Sequence, residues 1–155
     1  MAKSLALIAS KGSLDWAYPP FILASTAAAL DYDVQIFFTF YGLALLRKDL
    51  SDLKVSPLGN PAMPMPIPMP NLVQMLPGME SMATMMMKQK IAAKGVASIE
   101  ELRSACLESG VKLIACQMTV DLFDFKTEDF IEGIEFGGAA TFFQFAGESD
   151  VQLFI

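Results

Sequence analysis

The chain has 155 residues, 54% of them apolar, and a formal net charge of −6. This length predicts a single domain spanning residues 1–155 with its own core, and the acidic balance is evidence against nucleic-acid binding, which needs a basic surface. The absence of histidine and the presence of only two cysteines exclude Ser-His-Asp and Cys-His nucleophiles and nearly exclude ordinary zinc sites.

No apolar run in the sequence is long enough to cross a membrane. The longest candidate, VQIFFTFYGLALL, lies between Asp33 and Arg47 and falls short of the ~18–20 residues that a span needs. The opening MAKSLALIAS has no convincing cleavage site, so it predicts a strand and not a signal peptide. We therefore expect a cytoplasmic protein with reduced thiols and no membrane span.

The first part of the chain alternates strands and helices. It predicts a strand at residues 4–9, a helix at residues 14–30, a second strand DVQIFFTF and a short helix YGLALLRK after Gly42. Ser13 is the expected N-cap of the first helix, and Pro19 and Pro20 predict that this helix starts late or bends. The second strand is apolar on both faces, which suits a parallel sheet covered by helices.

Residues 56–94 interrupt this alternation with a Met/Pro-rich insertion. Its prolines exclude an interior strand or helix and favour polyproline-like extension, since Pro64, Pro66, Pro68 and Pro70 alternate with Met63, Met65, Ile67 and Met69. Residues 79–94 then predict a helix, with Met75, Met79, Met82 and Met86 on one stripe.

After the insertion the alternation resumes. Ser98 and Glu101 predict a capping box for a helix that Gly110 ends, and VKLIAC predicts the third strand. TVDLFDF and TEDFIE read as short helical or turn segments, followed by the strand GIEF, a helix AATFFQFAGES after Gly137 and Gly138, and the final strand VQLFI. This order predicts an α/β fold with an open, mainly parallel five-stranded sheet and helices on both faces.

Cys116 is the first candidate site residue, because it ends the third predicted strand just before a helical segment. Sites in open α/β sheets form at the carboxyl ends of strands, and a helix start favours a thiolate. The alternative is that Cys116 is a small apolar residue closing the strand, since free cysteines are commonly buried. Both interpretations remain open on position alone.

Cys106 is the second candidate, on the apolar face of its helix with Ile99 and Leu102, where core packing is the simpler interpretation. From Gly110, Cys106 lies back by ~6 Å of helix and Cys116 forward by ~20 Å of strand. Their axial separation of more than ~10 Å is too large for a disulfide, which needs Cα atoms within ~7 Å.

The loops after strands one and two should reach the same edge of the sheet as Cys116. They offer the candidate site-edge residues Ser10, Lys11, Gly12, Tyr41 and Gly42. Lys11 could stabilise a thiolate, although a solvated loop lysine is the simpler interpretation. Gly137 and Gly138 lack the GxGxxG spacing of a dinucleotide site, so we expect neither a cofactor nor a resident metal.

Nine of the eleven methionines lie between Met63 and Met87. Thioethers bind Cu(I), so copper handling is one interpretation of this segment. Methionine also forms adaptable contact surfaces, and we favour packing against other subunits or a partner, or covering of the thiol edge. A non-catalytic binding or scaffold module acting through this segment is the alternative to chemistry at Cys116.

Three stretches carry a resemblance to a known family. The opening LALIASKGSLDWAYPPFILASTAAALDYDVQIFFTFYGLALL, the central GVKLIACQMTVDLF and the ending IEGIEFGGAATFFQFAGESDVQLFI resemble the DsrE/DsrF-like sulfur-relay proteins, which often carry a peroxiredoxin-like label. The resemblance covers almost the whole chain. It is close to a two-cysteine subgroup with a Met/Pro-rich insertion and cysteines ten positions apart, as Cys106 and Cys116 are here.

This resemblance implies a flavodoxin-like outline, homo-oligomers, and a sulfur carrier or sulfurtransferase. It implies that Cys116 carries sulfur as a persulfide, with Cys106 as a second sulfur site, and that the partner is a small TusA-like carrier in sulfur oxidation or trafficking. The peroxiredoxin label is not supported, because nothing in the sequence shows the threonine-and-arginine setting of a peroxidatic cysteine.

Overall fold

The computed structural model of the chain describes residues 1–56 and 71–155. The predicted proline-methionine alternation therefore lies outside the described residues. The strands are β1 (Ser4–Ala9), β2 (Asp33–Phe38), β3 (Lys112–Cys116), β4 (Glu135–Gly137) and β5 (Val151–Phe154). The α-helices are α1 (Leu14–Ala29), α2 (Asn71–Gln74), α3 (Met79–Ala93), α4 (Ile99–Glu108), α5 (Gln117–Leu122) and α6 (Ala139–Ala146), with 3-10 helices at Phe40–Leu46 and Thr127–Asp129.

The five strands form one sheet in the order β4-β3-β2-β1-β5, and every neighbouring pair is parallel. This confirms the predicted open, five-stranded parallel α/β sheet. Because all strands point the same way, their carboxyl ends lie along one edge. After β4, the chain crosses back over the sheet and adds β5 on the far side of β1. The outer strands of the described sheet are therefore β4 and β5.

Helices cover both faces of the sheet, as the apolar strands predict. Adjacent residues of β2 show this, since the side chains of a strand alternate between faces. The Phe38 ring lies 5.8 Å from that of Phe21 on α1, and the Phe37 ring lies 5.5 Å from that of Phe142 on α6. The core therefore has two layers, with α1 and α4 packed together on one face and α6 on the other.

The helix predicted at residues 14–30 is observed as Leu14–Ala29, and the second predicted helix differs in type. The first helix starts at Leu14 and continues through both prolines, so Pro19 and Pro20 do not delay it. Burial of Pro20 and Phe21 in the core outweighs the hydrogen bonds that the two missing N–H groups remove. The second predicted helix is a 3-10 helix that starts at Phe40, before Gly42.

The helix before β3 begins and ends as its sequence predicts. Ser98 Oγ accepts a hydrogen bond from the Glu101 backbone N–H at 3.2 Å, and the Glu101 carboxylate accepts one from the Ser98 N–H at 2.7 Å. This capping box starts α4. Gly110 follows with a φ of +81°, the left-handed conformation that glycine adopts most readily.

The predicted methionine helix is α3. It buries Ala83 and Thr84, and the Thr84 hydroxyl oxygen accepts a hydrogen bond from the Val55 N–H at 3.0 Å. Met82, Met85 and Met86 are exposed. None of the helices in the described ranges is both long enough and apolar enough to span a bilayer.

Candidate functional site

Cys116 lies at the carboxyl edge of the sheet, at the end of β3, which stands between β4 and β2. It is the last residue of β3 and the N-cap of α5. On one side it pairs with Gly137 of β4, and on the other the register Phe38 to Ala115 brings Thr39 alongside it. The residue is only 4% exposed, so its thiol is almost entirely covered in this conformation.

The turn from β3 into α5 is held by a buried threonine. The Cys116 side chain makes no capping hydrogen bond to α5, and α5 is only six residues long, so its dipole is small. Thr119, which is fully buried, accepts a hydrogen bond from the Phe40 N–H at 3.1 Å. This bond ties α5 to the segment after β2, where Phe40 has a φ of +51°.

Cys106 has a different environment. It is fully buried on α4, and its Sγ–H donates to the Phe21 carbonyl oxygen of α1 at 3.6 Å. Burial raises the pKa of the Cys106 thiol to about 11, because a thiolate would lose its hydration there. In this conformation Cys106 is a protonated core residue and not an accessible nucleophile.

The two cysteines are both free thiols, as their predicted separation requires. Cys106 lies near the end of α4, next to the amino end of β3, while Cys116 closes the carboxyl end of β3. Sulfur transfer directly between them would have to bridge more than ~10 Å.

The predicted edge residues are placed in two groups. Lys11, Gly12 and Tyr41 line a cleft of about 770 Å³ beside the carboxyl edge. Gly42 is buried and does not line the cleft. A side chain at this position would place its Cβ against the carbonyl oxygen of Ala9. Gly12 has the same role against the Tyr41 carbonyl oxygen, so both glycines allow close backbone packing at this edge.

Lys11 does not act on the thiol in this arrangement. Its ammonium nitrogen lies 3.3 Å from the centre of the Trp16 ring, a cation–π contact. The cleft lining does not include Cys116, and Lys11 and Cys116 share no hydrogen bond or ion pair. The idea that Lys11 stabilises a thiolate therefore receives no support from the geometry.

The aromatic wall of the cleft contains Tyr41, which the sequence analysis names as an edge residue, and three phenylalanines that it does not. Phe40, Tyr41, Phe123 and Phe125 form a continuous cluster, in which the Tyr41 and Phe123 rings stack at 6.1 Å. The stretch TVDLFDF contains two of these rings, although its pattern indicates only a helical or turn segment. The signal in the sequence is the pair Phe123 and Phe125, which follow the strand-end cysteine closely and so indicate aromatic rings near the carboxyl edge.

The cleft is also lined by Lys54, Val55 and Ser56, a segment held against the start of α1. The Lys54 carbonyl oxygen accepts from the Leu14 N–H at 2.8 Å, and the Asp15 carboxylate accepts from the Ser56 N–H at 2.8 Å. Burial by itself would raise the pKa of Asp15, but the hydrogen bonds from Ser56 and Ser13 hold that pKa below its usual value. Within residues 1–56 and 71–155, no cluster of acidic or cysteine side chains could hold a metal ion.

Comparison with known proteins gives consistent matches over the full length. Residues 1–154 match the model of the DsrE/DsrF/DrsH-like family. The sulfur carrier protein DsrE2 of Allochromatium vinosum is 67% identical, with 99% of this chain and 98% of that protein covered. The uncharacterized protein YrkE of Bacillus subtilis is 32% identical, with 99% and 97% covered.

Two solved structures share the fold. A protein of unknown function, MTH1491 from Methanobacterium thermoautotrophicum, superposes with a TM-score of 0.54 at 12% identity, covering 99% of each chain. The ychN protein from E. coli gives a TM-score of 0.53 at 14% identity, covering 100% of each. At these identities the likeness concerns the fold alone.

Proposed function

This chain belongs to the DsrE/DsrF/DrsH-like family, and we propose that it is a cytoplasmic sulfur carrier, with the sulfur held on Cys116 as a persulfide and exchanged with a small TusA-like carrier protein. Two findings support the proposal. A relative named as a sulfur carrier is 67% identical over nearly the whole length. Cys116 is the thiol at the carboxyl edge of the parallel sheet, where α/β folds place their sites.

The chemistry needs no oxidant, metal or histidine. The Cys116 thiolate attacks the terminal sulfur of a donor persulfide, forming a new S–S bond as the donor's S–S bond breaks. The donor leaves as a thiolate, so one sulfane sulfur moves and the redox state of the pair is unchanged. Reversal of the same step passes the sulfur to the next carrier.

Burial of Cys116 has a consequence for this exchange. A thiol that is 4% exposed cannot be reached by a partner's persulfide unless the neighbouring turn moves. The movement can be small, because Met118 and Leu122 on α5 are already exposed and α5 has only six residues. We expect docking of the carrier to open this turn, which would protect the loaded sulfur from water at other times.

The proposal is tested by mass. Incubation with polysulfide or a persulfidated carrier should add about 32 Da per sulfur to the wild-type protein. Cys116→Ser should lose this gain, whereas Cys106→Ser, which changes a thiol of the core, should keep a first sulfur. Loading of Cys116→Ser to the wild-type level would show that the assignment is wrong.

A binding module that needs no thiol is the second candidate, and the exposed methionines favour it. Met82, Met85 and Met86 present an uncharged, adaptable surface on α3. This candidate predicts that the double variant Cys106→Ser/Cys116→Ser still captures a purified TusA-like protein, and that changing these methionines to glutamine abolishes capture. If capture is weakened only by loss of the thiols, the methionine surface is not the binding site.

A further inference from the structure

The outer strand β5 is an exposed and uncharged sheet edge. It pairs with β1 on one side only within the described sheet, and all four of its residues, VQLF, are exposed. Phe154 is 73% exposed, and Val151 and Leu153 are each 38% exposed. Natural proteins usually protect such an edge with charges, prolines or a covering element, and β5 contains neither a charge nor a proline.

The direction of the backbone groups of β5 follows from its bonds to β1. Ile155 donates its N–H to Ile8 at 2.8 Å, and its carbonyl oxygen accepts from the Ser10 N–H at 2.9 Å. Both polar groups of a strand residue point to the same side, and the side alternates along the strand. The N–H and carbonyl groups of Gln152 and Phe154 therefore point away from the sheet.

We propose that a second copy of this chain pairs with β5 antiparallel across a two-fold axis at Leu153, joining the two sheets into one of ten strands. In this register Gln152 lies opposite Phe154 of the second copy, and Phe154 lies opposite its Gln152. Each of these pairs exchanges two hydrogen bonds, so all the outward backbone groups of the two residues are satisfied. A two-fold axis makes two identical strands antiparallel and the patch self-complementary.

The side chains of β5 fit this pairing. The Gln152 amide donates to the Ala146 carbonyl oxygen, so Gln152 and, by alternation, Phe154 lie on the α6 face. Leu153 projects from the opposite face and would meet its own counterpart at the axis. Together with Phe143 of α6, which is also exposed, the apolar side chains of this edge present on the order of 400 Å².

That apolar area is about half of the ~800 Å² that each partner buries in an interface of standard size. The strand backbones and the flanking surface of α6 add to it when two copies pair. A second copy is favoured over an unrelated strand because the register satisfies both edges at once and juxtaposes no charges.

The proposed interface is independent of the cysteine chemistry. Two strands lie between β3 and β5, which places Cys116 roughly 14 Å from this edge at the usual strand spacing. Pairing through β5 leaves the carboxyl edge of both copies open. The interface also differs from the methionine helix α3, which the sequence suggested as the oligomer contact.

A disulfide trap tests the register. In the Cys116→Ser background, Leu153→Cys places two thiols across a non-hydrogen-bonded pair, whose Cα atoms lie about 4.5 Å apart, within reach of a disulfide. Mild oxidation with diamide should double the 16.9 kDa chain mass on a non-reducing gel. The matched control Gln152→Cys places its thiols about 8–9 Å apart across the axis and should remain monomeric on that gel.

Equal cross-linking of both variants, or none of Leu153→Cys, would overturn the proposal. Sizing by light scattering supplies a second measurement that needs no disulfide. Leu153→Lys should halve the mass of the wild-type dimer, while Met85→Lys on α3 should leave it unchanged, with circular dichroism confirming that both are folded. A monomeric wild type, or dissociation by Met85→Lys but not by Leu153→Lys, contradicts pairing through β5.

Discussion

Replacing Cys106 with alanine should make the stability of the protein less sensitive to alkaline pH. The thiol has an ordinary pKa of 9.0, which burial raises to about 11 in the folded protein. Below pH 9 both the folded and the unfolded chain hold this proton, so the group has no effect on the pH dependence. Between pH 9 and 11 the unfolded chain loses the proton while the folded chain keeps it, so the free energy of unfolding falls as the pH rises.

The size of this effect follows from the two pKa values. One unit of difference corresponds to about 1.4 kcal/mol, so the wild type should lose about 2 kcal/mol from this group by pH 11, where the folded thiol is itself half ionised. The alanine variant has no such proton. Below pH 9 it should be less stable than the wild type by about 1–2 kcal/mol, because the sulfur is removed from a packed site.

Urea denaturation followed by circular dichroism, at intervals from pH 8 to pH 11, measures both curves. Groups other than Cys106 titrate in both proteins and cancel in the difference, so the difference between wild type and Cys106→Ala should shrink and then reverse with rising pH. Parallel curves would refute the reasoning, since they would mean that the Cys106 thiol is not held protonated by burial. The expected result would also mean that sulfur reaches Cys106 only after the α1–α4 contact opens.

Three further substitutions test how the carboxyl edge and the helices are held. Thr119→Val should cost about 1 kcal/mol in denaturation experiments, because the part-buried Phe40 N–H loses its acceptor, whereas Thr119→Ser keeps the hydroxyl and should cost less. Gly42→Ala should destabilise the fold by more than about 1 kcal/mol, because its Cβ would collide with a backbone oxygen, while Gly138→Ala, with open space around it, should change the melting temperature little. Ser98→Ala should cost about 1 kcal/mol by removing the cap of α4, with sulfur loading measured by mass unchanged at equal folded fraction.

Much of the fold could be predicted because its signals are local. The capping box at Ser98, the left-handed Gly110 and the apolar strand before Cys116 each depend on residues within a few positions of one another. Periodicity also predicted α3, whose inner face is Ala83 and Thr84. The predicted range of residues 14–30 gave the start of α1 correctly, while the delay that the local rule for proline suggested does not occur, because tertiary burial of Pro20 outweighs that rule.

The candidate site was predicted in part for the same reason. The position of Cys116 at a strand end is a local property, and the parallel sheet carries it to the carboxyl edge. The aromatic cleft could not be predicted from neighbouring positions, because Tyr41 and Phe123 stack across 82 positions of chain. The contact of Lys11 with Trp16 was also hidden, since a loop lysine has many rotamers in an isolated segment.

The sequence by itself determined the order of strands and helices along the chain, the parallel sheet and the presence of two candidate thiols, because periodicity, capping and composition are written along the chain. Only the tertiary structure decided what distinguishes those thiols. Cys106 is buried because α4 packs on α1, which raises its pKa, whereas Cys116 lies under a short turn at the open edge. The tertiary structure also decided that β5 is an outer strand of the described sheet. The order of strands in a sheet depends on how distant segments pair and not on the residues of any one strand.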